Sequence, residues 1–432
     1  MASPVAVGLA PVSIVLPNGV RALVVRTRMT PAVTINLSLR AGSMHDPEAA
    51  PGAAFFLSRT IDRGTTAQSA EGISEDLDSR GVSLRVALTR QALNVSCDCL
   101  VEDFEAILGL LANIIRSPTL PEAEIMTRRG EVLTAIQQDD DNPAVTAVER
   151  LMTLLYGVDH PFGRRTKGST ESVKRIDRTV LIQLHRTRYV SAGLSVVVVG
   201  DVEPSQAIDD VSKAFGDWRT EAATETSLAA PPTATERQRL VVTMMNKSQA
   251  DIAYGFTTIV RSDPAYYAYC LMCNTFGQYG MGGRLGSSIR ERQGMAYYAF
   301  CGFEASLIEG PLIVRAGVSG ANVERAVASI DSEITVLAKE GVTGDELDNS
   351  KRYLTGSLPR TLETNAGIAA FLQNVLHFDL GLDYDRRLPT LLGEVTRDQV
   401  NAAARRTLNA DHASVVVVGP YEDISADDRG LL

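Results

Sequence analysis

Four kinds of feature in this 432-residue chain carry groups able to do chemistry, and the first is a cysteine pair. Cys270 and Cys273 make C-x-x-C, a spacing shared by redox pairs and by half of a zinc site. No second ligand pair follows at finger-like spacing. Their setting, AYYAYCLMCNTF, reads as a buried apolar helix in which a free cysteine acts as a small hydrophobe. Cys97 and Cys99, two apart in LNVSCDCL, fall on one face of a strand and read the same way, while Cys301 makes the total odd and a disulfide scaffold unsuited to so long a chain. The second kind is imidazole. His45, His160, His185, His377 and His412 are scattered, with no pair at i, i+3 or i, i+4 to offer a metal from one helix face. Third, Glu131 and the run Asp139 to Asp141 offer carboxylates, but the run precedes Asn142-Pro143 and reads as an exposed acidic turn. Fourth, Gly277, Gly280, Gly282, Gly283 and Gly286 form a glycine-rich loop. It lacks both the Gly-Lys-Ser/Thr of a phosphate loop and a dinucleotide-binding context, so close backbone packing and loop mobility explain it better. Tyr254, Tyr266, Tyr267, Tyr269 and Tyr279 read as core and interface residues, because no basic groove accompanies them as a base-stacking platform would need. There is no G-x-S-x-G nucleophile elbow, and spacing supports no cysteine–histidine pairing.

The elements that would position such groups come in two copies. Ser195 to Gly200 reads SVVVVG, and Ser414 to Gly419 repeats it 219 residues later. Each copy follows a helix-like, arginine-bearing stretch, with Arg186 and Arg405 in register, and each reads as a buried strand that closes its half. Between Trp218 and Arg239 the periodicity lapses around Pro231-Pro232. The expected organisation is therefore residues 1–220, a linker at 221–238, and residues 239–432. In the first half VSIVLPNGVRALVVRT predicts a hairpin, TINLSLRAGS a strand, GAAFFLSRTIDRG a helix ending near Gly64, and AEGISEDLDSRG an amphipathic helix. VSLRVALTRQALNVSCDCL then predicts two strands, and FEAILGLLANIIRSP a long apolar helix. Meanders alternating with helix pairs indicate an α+β sandwich in each half instead of a doubly wound parallel sheet.

Composition narrows the classes. A net charge of −10 with 45% apolar residues describes an ordinary globular chain and argues against a general nucleic-acid surface. No apolar run reaches the ~18 residues of a membrane span. The first residues, MASPVAVGLAPVSIVLPNGV, lack the basic and apolar regions of an intact signal peptide.

With these motifs in order, the sequence resembles the pitrilysin/insulinase family of zinc metallopeptidases, which includes the mitochondrial processing peptidase and the core subunits of the respiratory bc1 complex. The likeness runs from LPNGVRALVV to the terminal SVVVVG. Members carry H-x-x-E-H on a helix after a strand ending in Ala-Gly. Here RAGSMHDPEAAPGAAFFLSRTIDRGT fills that context. Alignment on Gly52, Phe56, Leu57 and Gly64-Thr65 puts the two histidine positions on Phe55 and Arg59 and the glutamate position on Ser58. The third ligand, about 76 residues beyond the second histidine, falls on Ala135. A zinc peptidase needs neutral imidazoles, a carboxylate and a general base, and a fixed guanidinium at Arg59 repels a dication.

In the second half GQYGMGGRLGSSIRERQGMAYYAFCGF resembles the family's substrate motif, which identifies Arg290 and Tyr297 with its arginine–tyrosine pair. The resemblance implies that Arg290 donates to a peptide carbonyl and Tyr297 to a developing oxyanion. It further implies a non-catalytic subunit, similar to processing-peptidase alpha-type chains, forming a clamshell with a homologous H-x-x-E-H partner. Zinc is then expected in the partner and no cofactor in this chain. The substrates are peptides, and the compartment is the periplasm, with the cytoplasm as alternative. The competing expectations are a purely structural core-type subunit, a homodimer that binds peptides without cutting them, and an independent enzyme of other chemistry.

Overall fold

A computed structural model describes residues 8–221, 223, 228–278 and 283–422. In chain order they form β1 (Val12–Val15), β2 (Arg21–Arg26), β3 (Ala32–Leu39), α1 (Ala53–Ser58), α2 (Ala70–Ser79), β4 (Arg85–Leu88), β5 (Leu93–Leu100), α3 (Phe104–Arg116), α4 (Glu122–Asp140), α5 (Pro143–Tyr156), α6 (Thr170–Arg175), α7 (Arg178–Arg188), β6 (Leu194–Gly200) and α8 (Pro204–Phe215). After the linker come β7 (Gln238–Thr243), β8 (Ala250–Thr257), α9 (Tyr266–Cys273), β9 (Ala296–Phe303), β10 (Pro311–Val318), α10 (Val323–Glu340), α11 (Gly344–Thr361), α12 (Asn365–His377), α13 (Tyr384–Gly393), α14 (Arg397–Thr407) and β11 (Ser414–Gly419). The α+β class expected from the sequence holds. No helix among the described residues is long and apolar enough to cross a membrane.

The first unit comprises residues 1–136, 165–227 and 358–387, the second residues 137–164, 228–357 and 388–432. These compact units interleave along the chain, unlike the sequential halves expected above, because 137–164 and 358–387 each belong with the other half's sheet. The described part of the expected linker carries no regular element before β7.

In the first unit six strands run in the order β1-β2-β6-β3-β5-β4, with β2 and β6 parallel and the other pairs antiparallel. The predicted hairpin is present: the Leu16 N–H donates to the Val20 carbonyl at 2.8 Å through a turn with Gly19 at φ +88°. Although β6 is the last strand of its half in sequence, it lies inside the sheet. Val196 and Val198 pack into the main core with Phe56, Leu57 and Ile107, while Val197 and Val199 meet Ile368, Leu372 and Leu376 of α12. Burial on both faces is why the run is valine throughout and does not alternate with polar residues. Each of those fully covered aliphatic side chains contributes roughly 1.5–3 kcal/mol.

The second unit repeats the plan with the order β7-β11-β8-β10-β9. Its core gathers α9, α10 and α14 against β8, β10 and Val415 and Val417 of β11. The opposite face is covered by α5, whose Leu151 lies so close to Gly255 that a Cβ there would sit 2.8 Å from Leu151 Cδ2.

Candidate functional site

The first candidate region is α1. The Asp46 carboxylate accepts from the Gly52 and Ala54 N–H groups at 2.7 Å each, which satisfies the start of the helix. Gly52 has φ +91° and a Cβ there would meet the Lys167 carbonyl at 2.5 Å, so a residue with a side chain would not fit. The helix is shorter than the predicted run to Gly64. The Ser58 hydroxyl donates to the Phe55 carbonyl (2.7 Å), the Thr60 hydroxyl reaches the Phe56 and Leu57 carbonyls, and the Thr60 N–H bonds Leu57 in a tighter turn. Local hydroxyl competition thus ends α1 six residues after it begins.

At the four positions that the resemblance aligns with the family's metal ligands and base, the structure places groups unsuited to zinc. Phe55 is half-buried, with the Lys167 ammonium 5.8 Å from its ring centroid. Ser58 is 3% exposed and its hydroxyl is committed to a backbone carbonyl. Arg59 is exposed on the closing turn, and Ala135 is half-buried on α4. The surroundings are cationic as well. Arg129 of α4 lies 5.7 Å from the Phe56 ring centroid, and Arg63, Arg59 and Arg128 all draw on Asp62, whose carboxyl burial nevertheless holds above the ordinary range. A zinc ion would find neither a basic nitrogen nor a free carboxylate at these four positions and would be repelled by the neighbours. Among the described residues no group of three or more His, Cys, Asp and Glu is placed to hold a metal ion. Of the carboxylates weighed as ligands, Glu131 pairs with Arg128, and Asp141 with Lys247 at 2.6 Å. Lys167 and Arg129 were not singled out by sequence. Their approach to α1 is tertiary and leaves no local spacing.

The second candidate region lies between α9 and β9. Two stretches of π-helical turn, Asn274–Gln278 and Gly286–Arg292, flank the glycine-rich segment, whose Tyr279, Gly280 and Gly282 lie outside the described residues. Wide turns of this kind are frequent at functional sites. Gly277 is needed for packing: a Cβ there would sit 2.9 Å from the Cys301 nitrogen. Arg284 anchors the segment with a two-pronged ion pair to Glu346 (2.7 and 2.8 Å) and a bond to the Gly341 carbonyl. Burial alone would raise the Glu346 carboxyl, but bonds from Arg284 and the Thr343 N–H bring it below its ordinary range.

On this scaffold Arg290 and Tyr297 are both presented outward. Ser288 and Ile289 are buried beneath the second π-helical stretch, and Arg290 is exposed at its outer end, where its carbonyl accepts from the Gly294 N–H at 3.1 Å. Its guanidinium has no hydrogen-bond or ion-pair partner among the described residues, so the surface pair with Glu291 or Glu304 that the sequence allows is not formed. Tyr297 stands in a β-bulge. Along the β9–β10 ladder Gly317 faces Tyr298 and Val318 faces Ala296, so Tyr297 is the extra residue with no partner opposite. By strict alternation Tyr297 would point inward with Ala299 and Cys301, which are buried; the bulge turns it out, and it is 86% exposed. Next to it Tyr298 is pinned, its hydroxyl bonded to Asp251. A cationic fork and a phenol donor, both without partners among the described residues, can serve an acyl group developing negative charge.

Comparison with known proteins agrees with this architecture. The family model described as Insulinase (Peptidase family M16) matches residues 21–163, and that described as Peptidase M16 inactive domain matches residues 175–354. An uncharacterized zinc protease of Mycobacterium leprae is 26% identical over 94% of this chain and 91% of its own length. A probable mitochondrial-processing peptidase subunit beta of Arabidopsis thaliana is 22% identical over 95% of this chain and 78% of its own. The solved structure of a peptidase M16 inactive domain from Pseudomonas fluorescens superposes with a TM-score of 0.89 at 25% identity, covering 95% of this chain and 98% of that one. Two models of one family thus account between them for most of the sequence, and the chain belongs to the M16, insulinase-like, peptidase family.

Proposed function

We propose that this chain is the non-catalytic subunit of a two-chain zinc peptidase. A homologous partner bearing H-x-x-E-H holds the metal, and this chain supplies Arg290 and Tyr297. The observation that carries the reading is the asymmetry between the two regions. Phe55, Ser58, Arg59 and Ala135 offer nothing to a metal, while Tyr297 is turned out by a bulge and Arg290 has no partner among the described residues. Relatives named zinc proteases and a processing-peptidase subunit support the peptidase context. In the assembled enzyme the zinc supplies Lewis-acid chemistry from the partner. Arg290 holds a substrate carbonyl, and Tyr297 donates to the oxyanion as it forms. The two chains close as a clamshell, so short or unfolded peptides are the substrates and folded proteins are excluded by size. The periplasm is the compartment we assign to this pair.

The test is zinc content and peptide hydrolysis for the chain alone and then after co-expression with a relative that carries H-x-x-E-H. A metal-free, inert chain that becomes part of an active complex supports the reading. Zinc binding and cleavage by the lone chain overturn it. A stable complex or homodimer that binds peptides but never cuts them moves the function to scaffolding or capture.

A further inference from the structure

We propose that Cys273 and Cys301 form a disulfide that fastens edge strand β9 to the end of α9, beside the segment that carries Arg290 and Tyr297. Both are free thiols in this structure, and their sulfurs stand 3.0 Å apart. That is about 1 Å more than a bonded pair, at ~2.05 Å. The backbones are already close. A Cβ on Gly277, in the turn that continues α9, would lie 2.9 Å from the Cys301 nitrogen and 3.1 Å from its Cβ. Bond formation therefore asks the two sulfurs to close by about 1 Å between elements already packed against each other.

The other cysteines are less suitable. Cys270 stands one turn earlier on the helix that carries Cys273 and interacts with Tyr266, while Cys97 and Cys99 lie side by side on β5 in the other unit. The C-x-x-C spacing thus names the wrong partner: the neighbour of Cys273 lies 28 residues on, in β9.

The oxidant is a low-molecular-weight disulfide. One cysteine thiolate attacks a sulfur of that disulfide and releases one small thiolate; the second cysteine then displaces the other half from the mixed disulfide. Two protein thiols are oxidised, one small disulfide is reduced to two thiols, and the protons lost by the cysteines end on those thiols. Cys273 is wholly buried and Cys301 is 1% exposed. Burial, together with the Cys301 neighbour, pushes the Cys273 thiol far above its ordinary range. The exchange therefore runs while β9 is still unpacked from α9 or during a transient opening.

Formation of the bond is independent of the peptidase reading, and its test needs no activity. The full chain is purified without reductant and incubated natively with oxidised glutathione; a second sample is refolded in the same reagent. Both are unfolded in excess maleimide, weighed intact and mapped by peptide mass. Of five thiols, three should react, Cys273 and Cys301 should be recovered in one cross-linked peptide, and reduction should lower the Tm by roughly 5–10 °C. Bonding on refolding alone still supports the proposal, as closure before burial. Five reactive thiols in both samples overturn it, as does a bond between Cys270 and Cys273. Cys301→Ser should leave four reactive thiols and no link, and if that variant does not fold, the count on the unaltered chain decides.

Discussion

Strands β4 and β9 hold the same place, each at the edge of its sheet next to β5 or β10, yet they differ in one respect that matters for chemistry. β4 pairs with β5 in unbroken register over four residues, whereas β9 runs eight residues and is bulged at Tyr297. The helical segments that precede them differ in the same sense. Around α1 the polar groups are spent on the fold: Asp46 caps the helix, Ser58 and Thr60 end it, and Phe56 and Leu57 fill the core. Around the π-helical turns the fold is secured by Arg284 and Glu346 instead, and Arg290 and Tyr297 are left without partners among the described residues. One architecture thus carries two polar loadings, and function has to be argued from the side chains and not from the sheet that bears them.

On the proposed function, the contrast makes α1 a stability region and the β9 edge a chemical one, and substitutions can separate them. Phe56→Ala empties a fully buried site and should cost about 3–5 kcal/mol in urea unfolding; a small loss would mean α1 is not part of the core. Tyr297→Phe should leave the unfolding midpoint where it is and lower kcat/KM of the proposed two-chain peptidase by roughly 10²–10³-fold. An unchanged kcat/KM would remove the chemical half of the comparison. Acid should act on the first region through His45, which burial, with Arg188 adding to it, lowers to about 4. The unfolded imidazole takes up a proton near pH 6.5 while the folded one resists until about 4. Stability is therefore complete above pH 6.5 and falls by up to ~2 kcal/mol as the pH drops towards 4, allowing for partial exposure. His45→Gln should flatten that slope in urea titrations at pH 7 and 5. Asp46→Ala removes a helix cap and should cost about 1 kcal/mol. Arg59→Ala, on an exposed turn, should change stability by less than ~0.5 kcal/mol; a larger loss would give that guanidinium a structural duty in the first region.

Much of the fold could be read in advance because it rests on local patterns. The two SVVVVG runs, the Pro-Asn-Gly hairpin and the apolar periodicity of α3 each mark one element without reference to the rest. What escaped is tertiary. An amphipathic helix does not state which sheet its apolar face will cover, so α5 and α12 gave no sign that they would change places. Strict alternation would have turned Tyr297 inward, and the bulge that reverses it arises in the pairing with β10, invisible in β9 alone. The early end of α1 depends on hydroxyls competing with the helix, a contest that composition does not decide. At the site, the residue types at positions 55, 58, 59 and 135 were readable directly, but the commitment of Ser58 and the cationic surroundings from Arg129 and Lys167 were not.

The covering of the first sheet by α12 has a consequence for synthesis. Leu23, Val25, Val197 and Val199 are complete once β6 has been made, but their cover, Ile368 to Leu376, is encoded more than 160 residues later. At ~5–20 residues per second a nascent chain would hold an apolar sheet face bare for on the order of 10–35 s. During that interval it is a natural client for a holdase chaperone, and a fragment truncated before residue 358 would remain one permanently.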